Sequence, residues 1–186
     1  MADPILFWFD FASPYSWLAA EQVEAVAARC GRRVAWRPFL LGVVFRQTGM
    51  APVAAQALRG DYARLDVARL ARRLGLDCAT IAPSPGCSVA LATAFYALPP
   101  PRAPRFALAA LRATFAEGRD LSTAEAASGL AGLEELSPPA ARARLRAATE
   151  EALRLGIFGA PYFLADGEPF WGQDRLPMLE ATLRRA

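Results

Sequence analysis

A chain of 186 residues, 54% hydrophobic and 21% charged, is long enough to bury one real core, with or without a large insertion. Its net charge of +3 is mild and its arginines are scattered, which argues against a nucleic-acid surface. There is no histidine and all 21 basic residues are arginine, so Ser-His-Asp and Cys-His catalysis, His-ligated metal sites, Schiff-base chemistry and a P-loop lysine are excluded.

Residues 5–9, Ile-Leu-Phe-Trp-Phe, form a continuous apolar run suited to a central strand buried on both faces. Asp10-Phe-Ala-Ser-Pro-Tyr-Ser-Trp17 then leads into a helical pattern with Tyr15, Ala19, Val23, Val26 and Cys30 in register, closed by Gly31. Ser13 falls at the N-cap and Pro14 at N1, where a missing N–H costs nothing. Ser13 reads equally as a plain cap or as a hydroxyl beside a ligand crevice, at a helix end that favours an anion such as a thiolate. Val34-Ala-Trp-Arg37, stopped by Pro38, reads as a second strand, and the β-α-β unit predicts a parallel pair.

Gly42, Gly49, Pro52 and Gly60 predict an irregular loop over residues 42–60. Helical patterns follow at 61–74, 91–98 and 104–118, with a turn-rich stretch at 81–86. On the first of them Arg64, Arg69, Arg72 and Arg73 lie largely off the apolar face and read as a solvated row. Ser122-Thr-Ala-Glu125 reads as a capping box, and Ser137-Pro138 as the start of a longer helix. Tyr162 to Ala165 and Pro169 to Trp171 read as strands joined by an Asp166-Gly167 hairpin turn, before a last helix carrying Leu176, Leu179 and Leu183. The order is β-α-β, a helical block, then β-β-α. The expected fold class is α/β, a thioredoxin-like domain built from residues 1–41 and 156–186, with an inserted all-helical domain at 42–155.

Cys30, Cys78 and Cys87 form no C-x-x-C pair, so neither a dithiol redox motif nor a zinc knuckle is expected. The odd, sparse count suits a reducing compartment. With no secretory signal pattern and no apolar run near the roughly 20 residues that span a bilayer, the expectation is a soluble cytoplasmic protein with no membrane or nucleic-acid partner and no metal.

Five segments then resemble a known family. Asp10 to Ala19, Trp36 to Phe45, Arg59-Gly-Asp-Tyr62, Gly156 to Pro161 and Phe170 to Arg175 are similar to 2-hydroxychromene-2-carboxylate isomerases, which group with kappa-class glutathione transferases and, more distantly, with DsbA-type disulfide oxidoreductases. The resemblance runs nearly end to end. It implies a homodimer of thioredoxin-like fold that uses glutathione as cofactor on a small aromatic carboxylate substrate, in aromatic catabolism. Redox members carry C-x-x-C where this chain has Ser13-Pro14-Tyr15-Ser16, so thiol–disulfide exchange lacks both of its thiols.

The resemblance implies a catalytic role for Ser13, as the hydrogen-bond donor that binds and activates glutathione sulfur. It matches Gly159-Ala160-Pro161-Tyr162 to a cis-proline loop, where Ala160 and Pro161 face the cysteinyl backbone. It places Trp171, Gly172, Gln173 and Asp174 at the γ-glutamyl end and Arg59 near the glycyl carboxylate; by position alone Asp174 is equally a first-turn helix residue and Arg59 an ordinary surface arginine. It places Phe45, Arg46, Met50 and Cys87 on the substrate side. There the chain departs from the family, which usually has Asn at the position of Met50 and often Asn near Cys87, and neither Met nor Cys offers an amide's donors. The implied activity is glutathione-dependent isomerisation. The alternatives are a kappa-like glutathione transferase and a non-catalytic thioredoxin-fold binding protein.

Overall fold

In the computed structural model, residues 2–79, 87–134 and 139–185 are described. The stretch at 81–86 and the Ser137-Pro138 helix start lie outside them. Strand β1 (Ile5–Phe9) is the centre of a four-stranded sheet of order β2-β1-β3-β4. It pairs in parallel with β2 (Val34–Pro38) and antiparallel with β3 (Tyr162–Ala165), which in turn pairs antiparallel with β4 (Glu168–Trp171). The apolar run of β1 is explained by its two covered faces. Phe7 stacks on Phe9 and Phe163 and meets Trp36 edge-on, while Trp8 meets Phe39 on the other side. Asp166 and Gly167 turn the β3–β4 hairpin with φ of 51° and 82°, the two positive values that let a two-residue turn follow the strand twist.

Helix α1 (Pro14–Arg29) begins at Ser13, whose Oγ accepts from the Ser16 amide at 3.2 Å, and ends at Cys30 before Gly31 at φ 66°. It buries Trp17, Ala19, Ala20, Val23 and Val26, and packs on α5 and α8 as well as near the sheet. The remaining helices are α2 (Leu41–Thr48), α3 (Arg59–Arg73), α4 (Ser88–Ala97), α5 (Ala103–Phe115), α6 (Ala124–Ala131), α7 (Pro139–Arg154) and α8 (Leu176–Leu183). One continuous cluster of buried side chains runs from the sheet into α4, α5, α6 and α7. No helix among the described residues is long and apolar enough to cross a membrane.

Two local expectations are corrected. Residues 42–60 are not an irregular loop: they hold most of α2, a 3-10 turn at Val53–Ala55 and the start of α3. Each glycine serves a helix. Gly42 sits in the first turn of α2, Gly49 caps it at φ 72°, and Gly60 lies in the first turn of α3 because a Cβ there would come within 2.6 Å of the Ala54 carbonyl oxygen. Gly60→Ala is therefore expected to cost about 1–3 kcal/mol of stability, since the obstructing atom is backbone; a thermal melt measures it. The second correction concerns α6, which is capped by Thr123, not Ser122: Thr123 Oγ1 accepts from the Ala126 amide at 3.2 Å, and the Ser122 amide is taken by Asp120 at 2.9 Å.

Candidate active site

The register of the sheet assembles the site. Trp8 of β1 lies opposite Tyr162 of β3, and Tyr162 lies opposite Trp171 of β4, so the end of β1, the entry to β3 and the exit of β4 meet at one edge. There Ser13 Oγ donates to the carbonyl oxygen of Ala160 at 3.1 Å, and the Ala160–Pro161 bond is cis. The Gly172 amide donates to the Pro161 carbonyl at 3.0 Å, which ties residues 171–174 to the same loop. Gly172 has φ 108°, and Asp174 Oδ1 occupies the space its Cβ would fill. The Trp171 indole likewise lies over Gly159 and meets Phe158 edge-on at 4.8 Å.

A cleft of about 1150 Å³ opens over this edge. Its floor holds Asp10, Ser13, Ala160 and Pro161, and one wall is apolar, with Leu41, Phe45, Met50, Val53, Val67 and Leu70. The cleft carries charged groups of both signs, and Asp174 is paired with Arg175 at 3.0 Å. Tyr15 Oη donates to Asp66 at 3.1 Å, and Asp174 lines the cleft on the same side as the exit of β4. Burial, then the charge and hydrogen bond of Asp66, holds the Tyr15 phenol well above its ordinary pKa, so it stays protonated. Arg59 and Arg64 line the cleft from the start of α3, where Arg59 donates to Gln56 at 2.9 Å and Arg64 to the Ala54 carbonyl at 3.3 Å.

Asp10 is the buried acid of the floor, only 3% exposed. Its carboxylate accepts from the Ala12 amide at 2.7 Å, the Leu41 amide at 2.8 Å and the Ser88 hydroxyl, binding together the starts of α1, α2 and α4. Burial pushes its pKa up; Ser88 and the Ala12 and Leu41 amides oppose that shift.

The structure places Ser13, Ala160, Pro161, Trp171, Gly172, Gln173, Asp174, Arg59, Phe45 and Met50 around this one cleft. Two expected site residues lie elsewhere. Leu41, Gly42, Phe45 and Gly49 turn the cleft-facing side of α2 inward, and Arg46, one step of about 100° further on, is exposed on the outside. Cys87 is fully buried behind the site, its Sγ 3.5 Å from the Phe11 carbonyl, and burial pushes its thiol up to about 12, too high for a thiolate at neutral pH. Sequence reasoning missed Asp10, Ser88, Tyr15, Asp66 and Arg64. Asp66 was detectable in principle: it stands seven residues after Arg59, two helical turns along the same face. Among the described residues no cluster of His, Cys, Asp or Glu could hold a metal ion.

Residues 4–184 match the family of DsbA-like thioredoxin domains. The chain belongs to this family. A 2-hydroxychromene-2-carboxylate isomerase from Sphingobium xenophagum is 30% identical over 98% of this chain and 99% of its own length. One from Pseudomonas putida is 28% identical over 96% of this chain and 93% of its own. Among solved structures, a 2-hydroxychromene-2-carboxylate isomerase superposes with a TM-score of 0.83 at 26% identity, covering 97% of this chain and 94% of that one.

Proposed function

We propose that this chain is a glutathione-dependent 2-hydroxychromene-2-carboxylate isomerase. The observation that carries the reading is Ser13, held between the α1 N-terminus and the Ala160 carbonyl on the floor of the cleft. End-to-end relatives named as such isomerases support the same activity.

The cleft fits a tripeptide thiol by charge and by shape. Asp174 and Asp66 suit the ammonium of the γ-glutamyl end, Arg59 and Arg64 suit carboxylates at the other, and the Ala160 backbone suits the cysteinyl unit as an added strand. When bound, glutathione would supply the nucleophilic sulfur that the chain, without a C-x-x-C pair, lacks. Ser13 has one hydroxyl proton, now given to Ala160. Turning it to the sulfur frees the Ala160 carbonyl to accept from the ligand's own amide, so no acceptor is left unmatched. A charge-assisted bond of this kind contributes about 1.5–3 kcal/mol, and the helix end acts in the same direction. The apolar wall of Phe45 and Met50 holds an aromatic ring and excludes water, and Arg59 and Arg64 serve the substrate carboxylate as well. The homodimer and the cytoplasmic location belong to the same proposal.

The test follows 2-hydroxychromene-2-carboxylate by absorbance with and without glutathione. Isomerisation is expected only with the thiol, which is not consumed; equal rates in both would falsify the reading, and a stoichiometric conjugate would make the chain a transferase. Asp174→Asn is expected to raise the KM for glutathione about tenfold and leave kcat unchanged, the loss of one charge-assisted contact made equally in ground and transition states; steady-state kinetics at varied glutathione checks it.

A further inference from the structure

We propose that Ser88 is a catalytic residue, the acceptor that takes the proton from the hydroxyl of the bound hydroxychromene, with Asp10 behind it as the carboxylate that takes up the proton of Ser88 in turn; the inference rests on the isomerase reading. Ser88 is the first residue of α4, lines the cleft, and gives its only hydroxyl proton to Asp10. What it turns toward the cleft is therefore lone pairs, so its partner must be a donor. Asp10 cannot swing away to reach the ligand itself: its two oxygens are held by the Ala12 and Leu41 amides. A buried carboxylate with a hydroxyl in front of it is a relay, and it sits on the same floor as Ser13.

The substrate's chemistry calls for such a relay. Opening the hydroxychromene ring moves a proton from the hydroxyl on the carboxylate-bearing carbon to the ring oxygen. As the hydroxyl proton passes to Ser88 Oγ, the proton of Ser88 passes to Asp10. The O–H electron pair becomes the new C=O bond, and the C–O bond of the ring breaks with its pair on the phenolic oxygen. The proton then returns from Asp10 through Ser88 to that oxygen, and no oxidant, reductant or net proton is needed. Burial, which raises the affinity of Asp10 for a proton, favours the intermediate state of this exchange.

The experiment compares wild type, Ser88→Ala and Ser88→Thr on two compounds in the presence of glutathione. One is 2-hydroxychromene-2-carboxylate, whose ring must open. The other is the open-chain cis-2-methoxybenzylidenepyruvate, which has neither a ring nor the hydroxyl. The ratio of the two kcat values is expected to fall by about 100-fold in Ser88→Ala and to recover in Ser88→Thr. An unchanged ratio overturns the proposal, whether both rates stay at the wild-type level or both fall together through a damaged fold. A ratio that falls in Ser88→Ala but is not restored by Ser88→Thr also overturns it. Wild type inert on both compounds overturns the isomerase reading itself, whereas wild type active and Ser88→Ala equal to it overturns only the role of Ser88.

Discussion

Ser13→Ala is expected to lower glutathione-dependent isomerisation by about 10- to 100-fold. The hydroxyl donates to the Ala160 carbonyl at 3.1 Å and caps α1 by accepting from the Ser16 amide, so its oxygen serves the helix while its one proton can turn from Ala160 to a bound thiol. Its removal forfeits about 1.5–3 kcal/mol of hydrogen bonding to a thiolate, a factor of about ten to a hundred in its population or reactivity. The bound thiol should then titrate nearer its free value of about 8.5, because only the helix end remains to favour the anion. Thiolate absorbance of the glutathione complex against pH, read beside kcat/KM, checks both effects. A wild-type rate in Ser13→Ala overturns the assignment. Loss of the cap costs about 1 kcal/mol of stability in addition, too little to unfold the chain and visible as a small fall in Tm.

The largest loss of stability is expected for Asp10→Ala. Among the described residues no ionic partner faces Asp10, so its carboxylate depends on hydrogen bonds, from the Ala12 and Leu41 amides and the Ser88 hydroxyl. Alanine leaves all three donors buried without their acceptor, at about 1–3 kcal/mol for each group that water does not reach. We expect about 3–5 kcal/mol in all, and a fall in Tm of about 10 °C for a chain of this size. Chemical denaturation measures it. A loss below about 1 kcal/mol would show that water enters and replaces the carboxylate. Asp10→Asn keeps one acceptor and is expected to fall between alanine and wild type.

Both residues stand in the motif from Asp10 to Trp17, yet the sequence exposes their roles unequally. Ser13 was legible because capping is local: a serine before a proline at a helix start is marked by its neighbours. The cis-proline loop and the segment from Trp171 to Asp174 were legible by resemblance, as short motifs near the ends of strands. Asp10 was not, since two of its three partners lie 31 and 78 residues away, and only the Ala12 amide is local. The pairing of Tyr15 with Asp66 across 51 residues was hidden for the same reason.

The strands, α1 with both of its ends and the Asp166-Gly167 turn follow from apolar periodicity, caps and turn residues, forces that act within a few residues of chain. The absence of histidine, lysine and a dithiol narrowed the chemistry before any coordinate was known. Which side chains face the cleft is a different kind of fact. Arg46 points out while Arg64 points in, and Cys87 is sealed away while its neighbour Ser88 lines the floor, because a helix turns about 100° per residue and its packing against distant elements sets which face is hidden. Local pattern carries the elements; the rotation of each helix against the sheet edge, a product of contacts far apart in sequence, makes the site.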